Sequence, residues 1–155
     1  MEASMTIQSP EMTRTEKRLR TQWSTQFLAA AELVRRGYTV AFTMGNYTPV
    51  ADLMVGAPSG TQFWVDVKGL GAQSSWLVRP KPNRQNLFYI LVCLAPLGTH
   101  GKERKPDRFF VLTQKQANDL INRSRKEHPG DKGTMPGFPW SYAIGFEDKW
   151  SALPG

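Results

Sequence analysis

At 155 residues the chain has the length of one domain, enough to bury roughly 70% of the surface its unfolded form exposes. Apolar residues at 40% and charged residues at 21% exclude a disordered chain, and no apolar run reaches the roughly 18 residues of a membrane span. A formal net charge of +7 favours polyanionic partners, and one cysteine, Cys93, excludes an internal disulfide framework.

Residues 1–12 are polar and aperiodic and read as a flexible tail, without the apolar core of a secretory signal. The expectation is a cytoplasmic protein with no membrane segment. Residues 13–155 read as one domain, with a core over about 20–126 and a C-terminal extension over 127–155.

From Thr13 to Arg36 the pattern is helical. Trp23, Phe27, Ala30, Ala31 and Val34 recur at three- and four-residue steps and are expected on the inner face. Gly37 supplies a C-terminal stop. Strands are expected at 38–43, 50–55 and 61–68, the last two joined as a hairpin through the turn residues GAPSG. The run LFYILVCL (87–94) reads as a strand buried on both faces, with Cys93 as a small core residue. A basic loop (96–107), a strand (108–113) and a helix (114–126) with Ala117, Leu120 and Ile121 inward follow. WSYAIGF (140–146) is expected as an edge strand, and Trp150 and Leu153 pack the tail onto the body. The order predicts an α/β fold around one sheet.

One strand poses a chemical question. In FWVDVKGLG (63–71) alternation puts Phe63, Val65 and Val67 on one face and Trp64, Asp66 and Lys68 on the other. In the hairpin partner Leu53 and Val55 match the first face, and Asp52 and Met54 the second. Two carboxylates thus converge beside one ammonium. Buried charges are costly unless they pair or bind a metal, and adjacent carboxylates raise one another's pKa. A hard divalent cation on Asp52 and Asp66, with the Val67 carbonyl as a third oxygen ligand, removes the conflict. That set suits phosphodiester hydrolysis assisted by Mg²⁺, or by Mn²⁺ in its place, with Lys68 as base or as stabiliser of the anionic transition state. A purely structural Asp66–Lys68 ion pair is the competing account. The acid-x-Lys pattern also occurs at Glu103/Lys105 and Glu147/Lys149, so the apolar strand context, not the tripeptide, carries the signal.

Farther on, Arg79, Lys81 and Arg84 either contact phosphates beside the catalytic edge or are simply solvated. Trp76 either stacks on a base or caps the sheet. His100 and His128 have no second histidine or cysteine at zinc-ligand spacing, and neither a P-loop ending nor a Gly-x-Ser-x-Gly elbow occurs.

Over residues 20–122 the succession TQFLAAAELVRRGYTV, NYTPVADLMV, TQFWVDVKGLG, LFYILVCL and RFFVLT resembles the PD-(D/E)XK nuclease superfamily, which includes restriction endonucleases and archaeal Holliday junction resolvases. The resemblance implies a restriction-endonuclease-like αβββαβ core, a mixed sheet flanked by helices. It places the motif on Asp52, Asp66 and Lys68, with Pro49 as a proline three residues before the first acid. Many such proteins add a glutamate from the first helix. Gln26 holds that position here, while Glu32 is expected to pair with Arg35 or Arg36. The implied activity is Mg²⁺-dependent endonucleolytic cleavage of DNA, with duplex, branched junction and single strand open as substrates, and proteins of this class often act as homodimers. The alternative is a catalytically inactive nuclease-like fold that binds nucleic acid or serves as an assembly module.

Overall fold

A computed structural model describes residues 11–43, 51–98, 102–130 and 136–155. The architecture is α/β. A five-stranded mixed sheet has the order β1 (Thr39–Phe42), β2 (Leu53–Gly56), β3 (Gln62–Leu70), β5 (Leu87–Cys93), β6 (Arg108–Thr113), and a two-stranded ribbon pairs β4 (Ser75–Leu77) with β7 (Gly137–Pro139). Pro49, His100 and part of the basic loop lie outside the described residues.

Helix α1 (Arg14–Arg35) starts on a capping box. Thr13 accepts from the Glu16 backbone N–H, and the Glu16 carboxylate accepts from the Thr13 N–H. It ends at Gly37, whose φ of 91° suits glycine, as the stop signal predicts. Strand β1 (Thr39–Phe42) pairs antiparallel with β2 (Leu53–Gly56), which turns through Gly60 into β3 (Gln62–Leu70). This is the expected hairpin. Strand β3 then runs parallel to β5 (Leu87–Cys93), which pairs antiparallel with β6 (Arg108–Thr113). Helix α2 (Gln114–Glu127) follows directly, capped by Thr113.

All seven residues of β5 are buried, as its unbroken apolar run requires. Phe88, Ile90 and Val92 join the core under α1, with Leu53, Val55, Phe63, Val65 and Val67. Leu87, Tyr89, Leu91 and Cys93 join a second core, with Ala117, Leu120 and Ile121 of α2. The sheet is therefore covered on both faces.

Three expectations need correction. The inner face of α1 is Thr25, Gln26, Ala29, Ala30 and Leu33; of the predicted stripe only Ala30 is buried, and Trp23, Phe27, Ala31 and Val34 are exposed. Residues 140–146 form a 3₁₀ helix, not an edge strand. The strand in this region is β7 (Gly137–Pro139), which pairs with β4 (Ser75–Leu77). Finally, the β3-to-β5 connection holds β4 and loop but no helix, where the αβββαβ order implies one.

The tail is part of the body. Leu153 lies in the first core, Phe138 and Ala143 in the second, and the Arg108 guanidinium makes a two-pronged ion pair with Glu147 at 2.7 Å. Among the described residues no helix is long and apolar enough to cross a membrane.

Small residues let α1 sit close to the sheet. A Cβ built on Gly69 of β3 would lie 2.5 Å from Thr25 Oγ1, so only glycine fits beneath this helix. Gly69→Ala is expected to lower unfolding free energy by about 1–3 kcal/mol through overpacking. Gly130→Ala, with nothing within 4 Å of its Cβ, should change it by less than about 0.5 kcal/mol. Urea unfolding of the two variants checks this, and equal effects would show that the helix yields.

Candidate functional site

The ladder between β2 and β3 ends at Leu53↔Val65, with one further bond from the Asp52 N–H to the Val65 carbonyl. Beyond it no further ladder pair joins the described residues, and among them the Val67 N–H has no backbone partner on the β2 side. The Asp52 side chain supplies one, Oδ2 accepting at 2.8 Å. Its Oδ1 accepts from Gln26 Nε2 at 3.2 Å. Asp52 thus sits in the fork between the strands, reached from the α1 side, rather than simply on the Asp66 face as alternation alone suggests. In an extended strand a residue's carbonyl shares the edge of its N–H, so the Val67 carbonyl faces the same fork.

Asp66 is 2% exposed and lies on the opposite face from Val65 and Val67, as predicted. Lys68 Nζ lies 2.7 Å from its Oδ1. Lys81 Nζ contacts its Oδ2. Lys81, expected on a phosphate, holds a carboxylate instead. The contact is built rather than incidental. Gln114, buried at the start of α2, donates from Nε2 to the carbonyls of Lys81 at 3.0 Å and Pro82 at 2.8 Å, and accepts from the Arg84 N–H. These three bonds fix the loop that delivers Lys81.

Burial, and next the Asp66 carboxylate, push the Asp52 carboxyl up from 3.8 to about 6. The Val67 N–H and the Lys68 ammonium pull the other way without prevailing. Tyr89, the β5 residue in register with Asp66, is buried, and its hydroxyl has no hydrogen-bond partner among the described residues. Burial and then Asp66 raise its pKa.

Asp52, Asp66, Lys68, Gln26 and the Val67 backbone therefore meet at one place, joined by Lys81. Arg79 and Arg84 are exposed on the adjoining loop. Trp76 is not a base platform. It is fully buried, stacks edge-on against Phe110 with centroids 5.8 Å apart, and donates from Nε1 to the Trp140 carbonyl at 3.3 Å. Of the two readings left open for it, the sheet cap is the correct one. Glu32 pairs with Arg35 and Arg36, away from the site, as expected. Sequence reasoning missed Gln114 and Tyr89: the first reads as an ordinary helix-start residue, the second as one more ring in an apolar run.

Among the described residues no three His, Cys, Asp or Glu side chains gather at one point, so any cation here would be held by two carboxylates with neutral oxygens completing the set. Comparison with protein-family models, with curated proteins and with solved structures finds no match.

The raised Asp52 pKa has a sign. Between the unfolded value near 4 and the folded value near 6 the unfolded chain binds fewer protons at this group than the folded one. Stability contributed by this residue is therefore full below that window and is lost as pH rises through it. Thermal melting of the metal-free wild type and Asp52→Asn from pH 4 to about 7 should show wild type losing ground to the variant across the window and running parallel above it. A constant offset at every pH would mean that Asp52 ionises normally.

Proposed function

We propose that this protein is a metal-dependent endonuclease of restriction-endonuclease-like fold, hydrolysing DNA phosphodiester bonds. The observation that carries the reading is the buried Asp66 beside Asp52 in the fork of β2 and β3, with Lys68 at 2.7 Å. Buried ionic clusters are a poor way to stabilise a fold, since apolar residues of similar volume do so at least as well. Their retention inside a strand otherwise facing an apolar core favours chemistry.

The donor set fits a hard divalent cation such as Mg²⁺ or Mn²⁺. Asp52 and Asp66 would supply charge, and the Val67 carbonyl and Gln26 Oε1 neutral oxygens. The upward shift of Asp52 reflects burial first and the Asp66 charge next, and such a cation would offset both. Bound there, the cation supplies Lewis-acid stabilisation of the charge that builds on the phosphate oxygens. Gln26 would turn its amide, now donating through Nε2 to Asp52, to present its oxygen. Lys68 keeps its ammonium at the reacting phosphate, where it orients the attacking water or stabilises the anionic transition state. Arg79 and Arg84 lie along the loop that leads away from the site and would hold flanking phosphates.

Lys81 makes the metal-free state coherent. Its ammonium balances Asp66 Oδ2, so a cation must displace it. Lys81→Met is expected to tighten Mn²⁺ binding in calorimetry and to enlarge the metal-induced rise in Tm relative to wild type. Unchanged affinity would place the cation elsewhere than on Asp66.

A second reading, a nuclease-like fold that binds DNA without cutting it, is favoured by Gln26 in an acid's place and by the two ammoniums on Asp66. Incubation of supercoiled plasmid, linear duplex, four-way junction and single strand with Mg²⁺ or Mn²⁺ separates the two. Cleavage should fall by about a hundredfold or more in Asp66→Asn and in Lys68→Ala. DNA shifted in a gel but uncut by wild type would favour the binding module, and cleavage that survives both substitutions would sink the assignment of the site.

A further inference from the structure

The stripe that sequence periodicity assigned to the core is instead a surface. Trp23 is 42% exposed, Phe27 58% and Phe42 38%. The three rings form a continuous row. Trp23 and Phe27 stack with centroids 5.9 Å apart and planes 29° apart, and Phe27 meets Phe42 of β1 at 5.4 Å. Phe42 pairs with Leu53, the residue after Asp52, and the amide of Gln26 on α1 reaches Asp52, so the row lies on the α1 face of the sheet near the Asp52 end of the site. Arg20 lies three residues before Trp23 and seven before Phe27, on the same side of α1, with Lys17 one turn farther. Both are exposed.

We propose that Trp23, Phe27 and Phe42 form a stacking platform for unpaired nucleobases, with Arg20 and Lys17 on the phosphates of the same strand. The inference rests on the nucleic-acid reading above and narrows it to a substrate with a single-stranded segment next to the scissile site. Paired bases stack on one another and offer no free face along a duplex; unpaired bases do. Charge selects this occupant over a second copy of the chain. Helix α1 carries five basic residues against two acidic ones, with arginines near both ends. Two copies of this face would oppose like charges in either direction, whereas a polyanion is attracted to it.

The test compares binding of a short fluorescent oligothymidylate with that of an abasic oligonucleotide of equal length and charge, by anisotropy in metal-free buffer. Wild type should prefer the strand that has bases. Trp23→Ala/Phe27→Ala should weaken binding to it by at least about fivefold and abolish the preference, with the abasic strand unaffected. Both side chains are exposed, so the melting temperature should hold. Leu97→Ala, at another exposed apolar residue, should bind as wild type does. Unchanged binding by the double variant, with wild type still cutting duplex, would overturn the platform and leave the nuclease reading standing. A wild-type dimer in sedimentation that the double variant dissociates would make the row a self-interface and overturn it too. Wild type that binds neither oligonucleotide and cuts no DNA would overturn both readings together.

Discussion

A carboxylate buried inside a sheet dictates much of this molecule. Asp66 is 2% exposed, and an uncompensated charge there would cost several kcal/mol. Compensation comes from two directions. Lys68 is local, two residues along the same strand. Lys81 comes from the β3-to-β5 connection, which must be held in place, and the buried Gln114 does so with three hydrogen bonds. The start of α2 thus serves a charge on β3. On the other side, Asp52 caps the open Val67 N–H where the strands part, and Gln26 steadies Asp52. Gln26 can reach because α1 sits low on the sheet, which in turn requires glycine at position 69. Helix height, strand fork and loop path are one connected arrangement around two acids.

Much of this was legible in the sequence because strands have a strict period of two. Once FWVDVK is a strand, Asp66 and Lys68 must share a face opposite Phe63, Val65 and Val67, and a hairpin partner must bring Asp52 near. The seven buried residues of β5 followed from their unbroken apolar run, and the inward face of α2 from ordinary helical spacing. The α1 face was misread for a physical reason. Periodicity counts hydrophobicity and ignores the distance between layers. A helix this close to a sheet buries Thr25, Gln26, Ala29 and Ala30, and has no room for Trp23 or Phe27. The polar Gln26 counts as outward on any hydropathy scale, although it is 2% exposed.

The other misses share a cause, which is long-range pairing that no local pattern encodes. Trp76 looked like a loop aromatic among basic residues. It is buried because β7, some sixty residues later, pairs with β4 and closes over it. Lys81 looks like one of three equivalent cations, but its ammonium contacts Asp66, on a loop that Gln114, some thirty residues on, holds in place. The absence of a helix between β3 and β5 follows from the same region. Sixteen residues there are taken up by the β4 ribbon strand and the tethered loop, which leaves no stretch for a helical crossover.

The unmade hydrogen bond of Tyr89 bears on what the cluster is for. A buried hydroxyl without a partner costs roughly 1–3 kcal/mol, and the fold tolerates it one strand away from Asp66. A static ion cluster gains nothing from leaving a donor on the residue in register with Asp66 uncommitted. A cluster that exchanges partners does gain. If a cation displaces Lys81 from Asp66, as the proposed function requires, Tyr89, in register with Asp66 on the neighbouring strand, is a donor that no other group among the described residues engages. Two ammoniums on Asp66 and a hydroxyl without a partner among the described residues suit the two-state site proposed above better than a fixed salt bridge.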